Sequence, residues 1–291
     1  MKKLFHNIFS LINASVRFVL FWLWSILNAM FATVFTHGGE FGAKHMRVFM
    51  RVAMRLVGLR IAVHGELPAS RPIMIVSNHI SIFEFASYPV AFGGSFFSKG
   101  EMKSWPFVGY MTQKFSAIFV DRRPSHVVAA IENVRKEMSR ATWPMVLFPE
   151  GTTTNGAYVK DFKSSLFNFL EMPNGGLNAN VTIQPVAMFY RHLDGTAISD
   201  VEMANEYAYF ANDKMTYGPL CNRERSWVGQ LFHIFMLGGF IVEMYLLPPP
   251  PLAEIHTRKE LATILHKQIS ETYMKLKGKN YVKNSNHTNP R

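Results

Sequence analysis

Ile73-Met74-Ile75-Val76-Ser77-Asn78-His79-Ile80-Ser81-Ile82-Phe83-Glu84 decides the fold of this chain. Its first four residues are apolar, and two of the four side chains of this kind are isoleucine. Such a short run predicts a buried strand over Ile73–Val76. The residues Ser81 to Phe92 then predict a helix, with a polar Ser-Asn-His junction between the two. In an open α/β sheet, the loops at the carboxyl ends of strands are where ligands bind. The junction therefore marks both the architecture and the place to look for chemistry.

The same alternation extends in both directions. Arg60–Val63, Ser95–Ser98, Ala117–Val120, Met145–Phe148, Val181–Phe189 and Phe240–Leu247 read as further strands. The last is stopped by four prolines, Pro248 to Pro251. Helices are predicted after a Ser125 cap, through Val127, Ile131, Val134 and Met138, and over Asp161–Leu170 and Ala253–Leu276. The uncharged run Trp227 to Val242 is broken by Gly238-Gly239 and reads as a buried helix entering a core strand. Strands alternating with helices predict an α/β fold with a mixed, largely parallel sheet flanked by helices.

The chain has 291 residues, of which 48% are hydrophobic and 18% charged, with 31 Lys and Arg against 20 Asp and Glu. That composition excludes a disordered or collagen-like chain. The net charge of +11 is concentrated at the ends. Residues 1–60 hold Lys2, Lys3, Arg17, Lys44, Arg47, Arg51, Arg55 and Arg60 against Glu40 alone, and no acid follows Lys275. A near-neutral middle argues against nucleic acid and for an anionic bilayer surface as the partner. Cys221 is the single cysteine, which excludes an intrachain disulfide and a zinc site built on cysteines.

Phe18–Phe35 is an uncharged run of 18 residues, long enough as a helix for ~27 Å against the ~30 Å hydrocarbon core. Leu4–Val16 is a shorter apolar stretch parted from it by Arg17. Residues 1–40 are expected to form a membrane anchor, either a helical hairpin or helices lying in one leaflet. A cleaved signal peptide fits less well, because no A-x-A site follows the run. Ala43–Val57 is expected to be a helix on which Lys44, Arg47, Arg51 and Arg55 form one stripe suited to anionic lipid. Residues 41–278 then form the main domain and 279–291 a basic disordered tail.

Four stretches carry chemical potential. His79 and Glu84 are five residues apart, which on a regular helix separates them by about 140°. They can meet only if His79 lies in the loop and Glu84 on the first helical turn, with Ser77, Asn78 or Ser81 as its cap. A carboxylate on one ring nitrogen would then leave the other free to act as a base. Phe148-Pro149-Glu150-Gly151-Thr152-Thr153-Thr154-Asn155-Gly156 follows a strand and offers glycine flexibility and hydroxyl groups. Lys99 and Arg122 each follow a strand-like run, where cations can clamp a phosphate. Val181-Thr182-Ile183-Gln184-Pro185-Val186 reads as core strand.

Taken in order, these blocks resemble the glycerolipid acyltransferase family. The family shows N-H-x-x-x-x-D, a Lys-Pro-Gly-Arg block, F-P-E-G-T-R and an apolar I-x-P-V strand. The matching positions are Asn78, His79 and Glu84, then Lys99, Pro106, Gly109 and Arg122, then Phe148 to Thr152, then Ile183, Pro185 and Val186. Phe162-Lys163 follows the third block as in the family, and the likeness spans about residues 44–250. It implies that His79 is a general base removing the proton from a lysolipid hydroxyl, which attacks the thioester of acyl-CoA or acyl carrier protein. Glu84 would orient the imidazole. Lys99 and Arg122 would bind phosphate, and Glu150, Gly151 and Thr152 would shape the glycerol phosphate pocket. No metal or resident cofactor is implied.

Two positions depart from the pattern: Glu84 replaces Asp, and Thr153 stands where many lysophosphatidate enzymes carry Arg. The expected acceptor is 1-acylglycerol-3-phosphate, giving phosphatidic acid, with lysophospholipids of larger head group as the alternative. A non-enzymatic lipid-binding protein is the competing class. A hydrolase is disfavoured because no G-x-S-x-G occurs. The expected location is a membrane, with the active site facing the cytoplasm.

Overall fold

The computed structural model describes residues 2–35, 39–70, 72–81, 83–93, 95–99, 118–120, 127–140, 143–173, 175–203, 206 and 227–278. Among the described residues, seven strands form one sheet: β1 (Leu59–His64), β2 (Ile73–Ser77), β3 (Ser95–Lys99), β4 (Ile118–Val120), β5 (Met145–Leu147), β6 (Thr182–Arg191) and β7 (Phe240–Leu246). Their spatial order is β1-β7-β6-β2-β5-β3-β4. Every neighbouring pair is parallel except β6 with β7. The sheet is thus mixed and largely parallel. β2 lies between β6 and β5, and all five of its residues are buried. A central parallel strand covered on both faces needs such a continuous apolar run.

The helices are α1 (Lys2–Phe35), α2 (Gly39–Val57), α3 (Glu84–Phe92), α4 (Val127–Arg140), α5 (Trp227–Met236) and α6 (Arg258–Gly278), with one helical turn at Asp200–Glu202. Alternate residues of β6 face opposite layers. Phe189 meets Tyr273 of α6 with ring centroids 5.5 Å apart, whereas the Tyr190 hydroxyl donates to Glu84 of α3. At the β6–β7 pairing a buried Arg191 Nε donates to Glu243 Oε2 at 2.6 Å.

Residues Asp161–Leu170, expected to be helical throughout, form a 3-10 helix that begins only at Ser164. Lys163 before it is extended, and its N–H donates to Pro149 O at 2.9 Å. That bond to the loop after β5 holds the segment out of a helix until Ser164. The Ser125 cap and the tail 279–291 fall outside the described residues.

The N-terminal region is one continuous helix rather than two short ones parted at Arg17. Arg17 does not interrupt α1, because its Nε donates to Leu56 O at 2.8 Å, at the last turn of α2. A cation is favourable at that helix end. Farther along, Trp24 Nε1 donates to Phe49 O at 3.1 Å, and His45 Nε2 bonds Asn28 Oδ1 at 2.9 Å. These three ties pair α1 and α2 antiparallel. On the other side, Phe18 and Phe21 pack edge-on against Phe235 of α5. What remains uncovered is a long apolar face, including Phe9, Ile12, Val16, Val19, Leu23, Leu27 and Met30. Asn7–Phe35 is long and apolar enough to cross a membrane.

On α2, Lys44, Arg51 and Arg55 are exposed. Arg47 departs from the predicted stripe: it donates to Val90 O at 3.3 Å and Ala91 O at 3.5 Å, near the end of α3. Those carbonyls carry the negative end of the α3 dipole, which draws the guanidinium inward.

β1 and β7 begin at a close backbone crossing. A Cβ on Gly239 would lie 2.3 Å from Gly58 O, and Gly239 has φ +133°. Only a residue without a side chain fits both constraints. Gly239→Ala is therefore expected to destabilise the fold by about 1–3 kcal/mol, read as a lower unfolding midpoint in detergent. An unchanged midpoint would show that the crossing yields without cost.

Candidate active site

The backbone after β2 explains how two residues five apart come to touch. His79 lies in the loop, and α3 begins at Glu84, as the spacing requires. His79 Nδ1 lies 2.7 Å from Glu84 Oε2. Because a carboxylate only accepts, the proton sits on Nδ1 and Nε2 is the ring nitrogen that Glu84 leaves free. Glu84 is fully buried, and His79 is 7% exposed. The imidazole stacks on Phe148 at 4.3 Å and 18°, with Phe85 edge-on at 5.6 Å. Aromatic walls restrict the ring, while Glu84 fixes its tautomer.

The buried Glu84 carboxylate is hydrogen-bonded on all sides. Ser81 N–H reaches both oxygens at 2.8 Å, Ile80 N–H reaches Oε1 at 3.3 Å, and Tyr190 O–H reaches Oε1 at 2.5 Å. The loop thus folds over the acid that begins the helix. Phe83 occupies the N-cap position without a side-chain bond, so none of Ser77, Asn78 and Ser81 serves as the expected cap. Asn78 has another task. Its Nδ2 donates to Met188 O at 2.9 Å, and its Oδ1 accepts from Met188 N at 2.8 Å. A side-chain amide thereby continues the β2–β6 ladder by one rung and sets the angle at which His79 leaves the sheet.

The Phe148–Gly156 loop is stitched to the same residue. His79 N–H donates to Glu150 Oε1 at 2.6 Å, and Lys160 N–H donates to Oε2 at 2.9 Å. Thr154 N–H returns a bond to His79 O at 2.9 Å. Glu150 is fully buried, so it acts on the pocket through the backbone of His79 and Lys160. Burial pushes its carboxyl up to about 8, partly opposed by the hydrogen bonds from Lys160 and His79. Gly151 and Thr152 are partly exposed. Gly151 has φ +72°, and a Cβ there would meet Lys163 Nζ at 3.1 Å. The exposed Lys163 ammonium thus lies directly over the turn. Thr153 is 8% exposed and faces inward, and Thr154 is more deeply buried.

The structure brings together His79, Glu84 and Glu150, with Gly151 and Thr152 next along the loop that carries Glu150. Lys99 ends β3, two strands from β2, where it pairs with Val120. Arg122 lies outside the described residues. The residue that the sequence left unremarked is Tyr190, one position beyond the predicted end of its strand. It shares a face with Val186 and Met188, so period-two reading would have found it once β6 was known to border β2.

Residues 60–189 match the model of the Acyltransferase family, a span that holds the His79 loop, α3, the Glu150 loop and β6 up to Phe189. A segment of 155 residues is 32% identical to lyso-ornithine lipid O-acyltransferase from Rhizobium meliloti (strain 1021), covering 51% of this chain and 51% of that protein. A segment of 140 residues is 26% identical to 1-acyl-sn-glycerol-3-phosphate acyltransferase from Neisseria meningitidis serogroup B, covering 46% of this chain and 52% of that one. The matched segment spans about half the length of these relatives. A crystal structure of the 1-acyl-sn-glycerophosphate (LPA) acyltransferase PlsC from Thermotoga maritima superposes with a TM-score of 0.57 at 17% identity, covering 97% of this chain and all of that one. The described fold is therefore PlsC-like.

The Glu150 carboxyl makes stability depend on pH. Its folded pKa lies above its ordinary value, so the folded state holds a proton that the unfolded chain has lost. Its stabilising contribution is full below the ordinary carboxyl range and is lost as pH rises towards about 8. Urea unfolding of the full chain between pH 5 and 8 is expected to show stability falling with pH. Glu150→Gln should flatten this slope while lowering stability throughout by about 1–3 kcal/mol, since an amide cannot accept both N–H bonds. An identical slope in the variant would assign the pH dependence to another group.

Proposed function

We propose that this chain is a lysolipid O-acyltransferase in which His79 is the general base and Glu84 orients it. The supporting observation is the buried 2.7 Å bond between His79 Nδ1 and Glu84 Oε2. His79 Nε2 takes the proton from the acceptor hydroxyl. The oxygen attacks the thioester carbonyl carbon of acyl-CoA or acyl carrier protein, the C–S bond breaks, and the departing thiolate takes the proton back from His79. An ester and a free thiol result. This is serine-hydrolase chemistry with the acceptor's hydroxyl in the nucleophile's place. The acyl donor is a co-substrate, and the scheme needs neither metal nor resident cofactor.

For the acceptor, we favour a lysolipid without a bare phosphomonoester, with lyso-ornithine lipid as the first candidate. Thr153, where many lysophosphatidate enzymes carry Arg, is neutral and buried. The lyso-ornithine lipid relative also has the higher identity of the two compared above. 1-Acylglycerol-3-phosphate is the second candidate, favoured by the Neisseria relative. Lys163, whose ammonium lies beside Gly151, is a candidate to meet an acidic head group, as are Lys99 and Arg122. The uncovered face of α1 and the cations of α2 support attachment to an anionic membrane, and we propose that the site faces the cytoplasm.

Full-length protein in detergent, offered acyl-CoA and a panel of lysolipids, should release thiol with an acceptor-dependent rate. His79→Ala should lower turnover roughly 10²–10⁴-fold with circular dichroism unchanged. Unchanged turnover would remove His79 from the mechanism, and vesicle binding without thiol release would favour the non-enzymatic reading. Arg51→Gln and Arg55→Gln should each weaken binding to vesicles containing anionic lipid by about 1 kcal/mol, measured by cosedimentation. Equal binding would place the membrane contact elsewhere.

A further inference from the structure

The two oxygens of Glu84 are not equivalent. Oε2 holds His79, and Oε1 holds Tyr190 at 2.5 Å and Ile80 N–H at the longer distance of 3.3 Å, while the Ser81 nitrogen lies 2.8 Å from each. A donor placed equally between the two oxygens does not fix the rotation of the carboxylate about its Cγ–Cδ bond. The terminal torsion of a glutamate is broad and roughly two-fold. Glu84 also has one more rotatable bond than the Asp it replaces.

We propose that Tyr190 is a positioning residue of the transfer reaction: its hydroxyl holds Glu84 Oε1 so that Oε2 stays on His79. The inference rests on the reading of His79 as base and Glu84 as its orienter.

Three observations support it. First, Tyr190 is 1% exposed, and its ring meets Phe240 at 5.6 Å. A phenylalanine would fill that space, so the buried hydroxyl needs a polar reason to be there. Its partner is the catalytic carboxylate. Second, β6 holds Tyr190 rigidly. Met188, two residues earlier on the same face, is bonded twice to Asn78, next to His79. The strand that fixes the His79 loop therefore also delivers the hydroxyl. Third, burial foremost, and then the neighbouring Glu84, hold the Tyr190 phenol well above its usual range. It remains a donor at any pH where the enzyme would work. The other titratable groups facing Glu84 are His79, Tyr88 on α3, Glu150 after β5 and Tyr273 on α6.

The bond also withdraws negative charge from the carboxylate. Without it, more charge rests on Oε2, and the protonated imidazole is favoured. A purely structural tyrosine would not act on the pH profile in this way.

The test compares wild type, Tyr190→Phe and His79→Ala as full-length protein in detergent, with acyl-CoA and the best lysolipid of the panel. Tyr190→Phe should lower kcat about 10-fold, equivalent to about 1.4 kcal/mol, with both KM values within about two-fold. The acidic limb of its kcat/KM profile should move to higher pH. Incorporating 3-fluorotyrosine at position 190 keeps the shape and makes the phenol a stronger donor. It should move that limb to lower pH with an unchanged melting temperature, and it carries the test if the phenylalanine variant does not fold. Limbs unmoved in both proteins, with His79→Ala inactive, would overturn the role of Tyr190 alone. Full turnover in His79→Ala would overturn the base assignment and this inference with it.

Discussion

A carboxylate with no access to water, bonded to an imidazole, constrains much of this architecture. Glu84 must be surrounded by donors, since an ionised acid without them would be too costly to bury. The donors come from places far apart in the chain. The loop after β2 supplies His79, Ile80 and Ser81, and β6 supplies Tyr190. The turn after β5 grips the backbone of the same loop through Glu150 and Thr154. The three neighbouring strands β6, β2 and β5 thus converge on one histidine. Their order in the sheet brings together residues 71 and 106 positions apart in sequence.

Much of this was legible beforehand. The Ile73–Val76 strand, the loop position of His79 and the helical position of Glu84 follow from apolar run length and a five-residue spacing that a regular helix cannot reconcile. The mixed, largely parallel sheet follows from the alternation of strands and helices. What escaped the sequence depended on neighbours in space. Asn78 fits equally well as a helix cap or a ladder rung until β6 is known to run alongside β2. Tyr190 belongs to a strand whose apolar neighbours suggested nothing but packing. Glu150 looks like a pocket acid from its loop, yet both oxygens are turned to backbone amides.

Arg17 illustrates the same limit at the N-terminus. A charge within an apolar run reads as a boundary when only neighbours along the chain are visible. In three dimensions its Nε donates to Leu56 O in the last turn of α2, and its guanidinium carbon lies 5.7 Å from the centroid of the Phe235 ring of α5. One substitution-sized feature therefore separates two pictures of the region, a pair of short segments or one rod of 34 residues. Arg47, expected at the surface with its stripe, is drawn in by the end of α3 for the same electrostatic reason.

The rod has a mechanical consequence. Because α1 is fastened to α2 at Arg17, Trp24 and Asn28 and by its aromatic rings to α5, it cannot behave as a leash from which the sheet swings. Tilting α1 would carry α2, the Gly58–Gly239 junction and the rest of the sheet with it. Whatever surface receives the helix thereby also dictates the attitude of the histidine, and neither can be adjusted without the other.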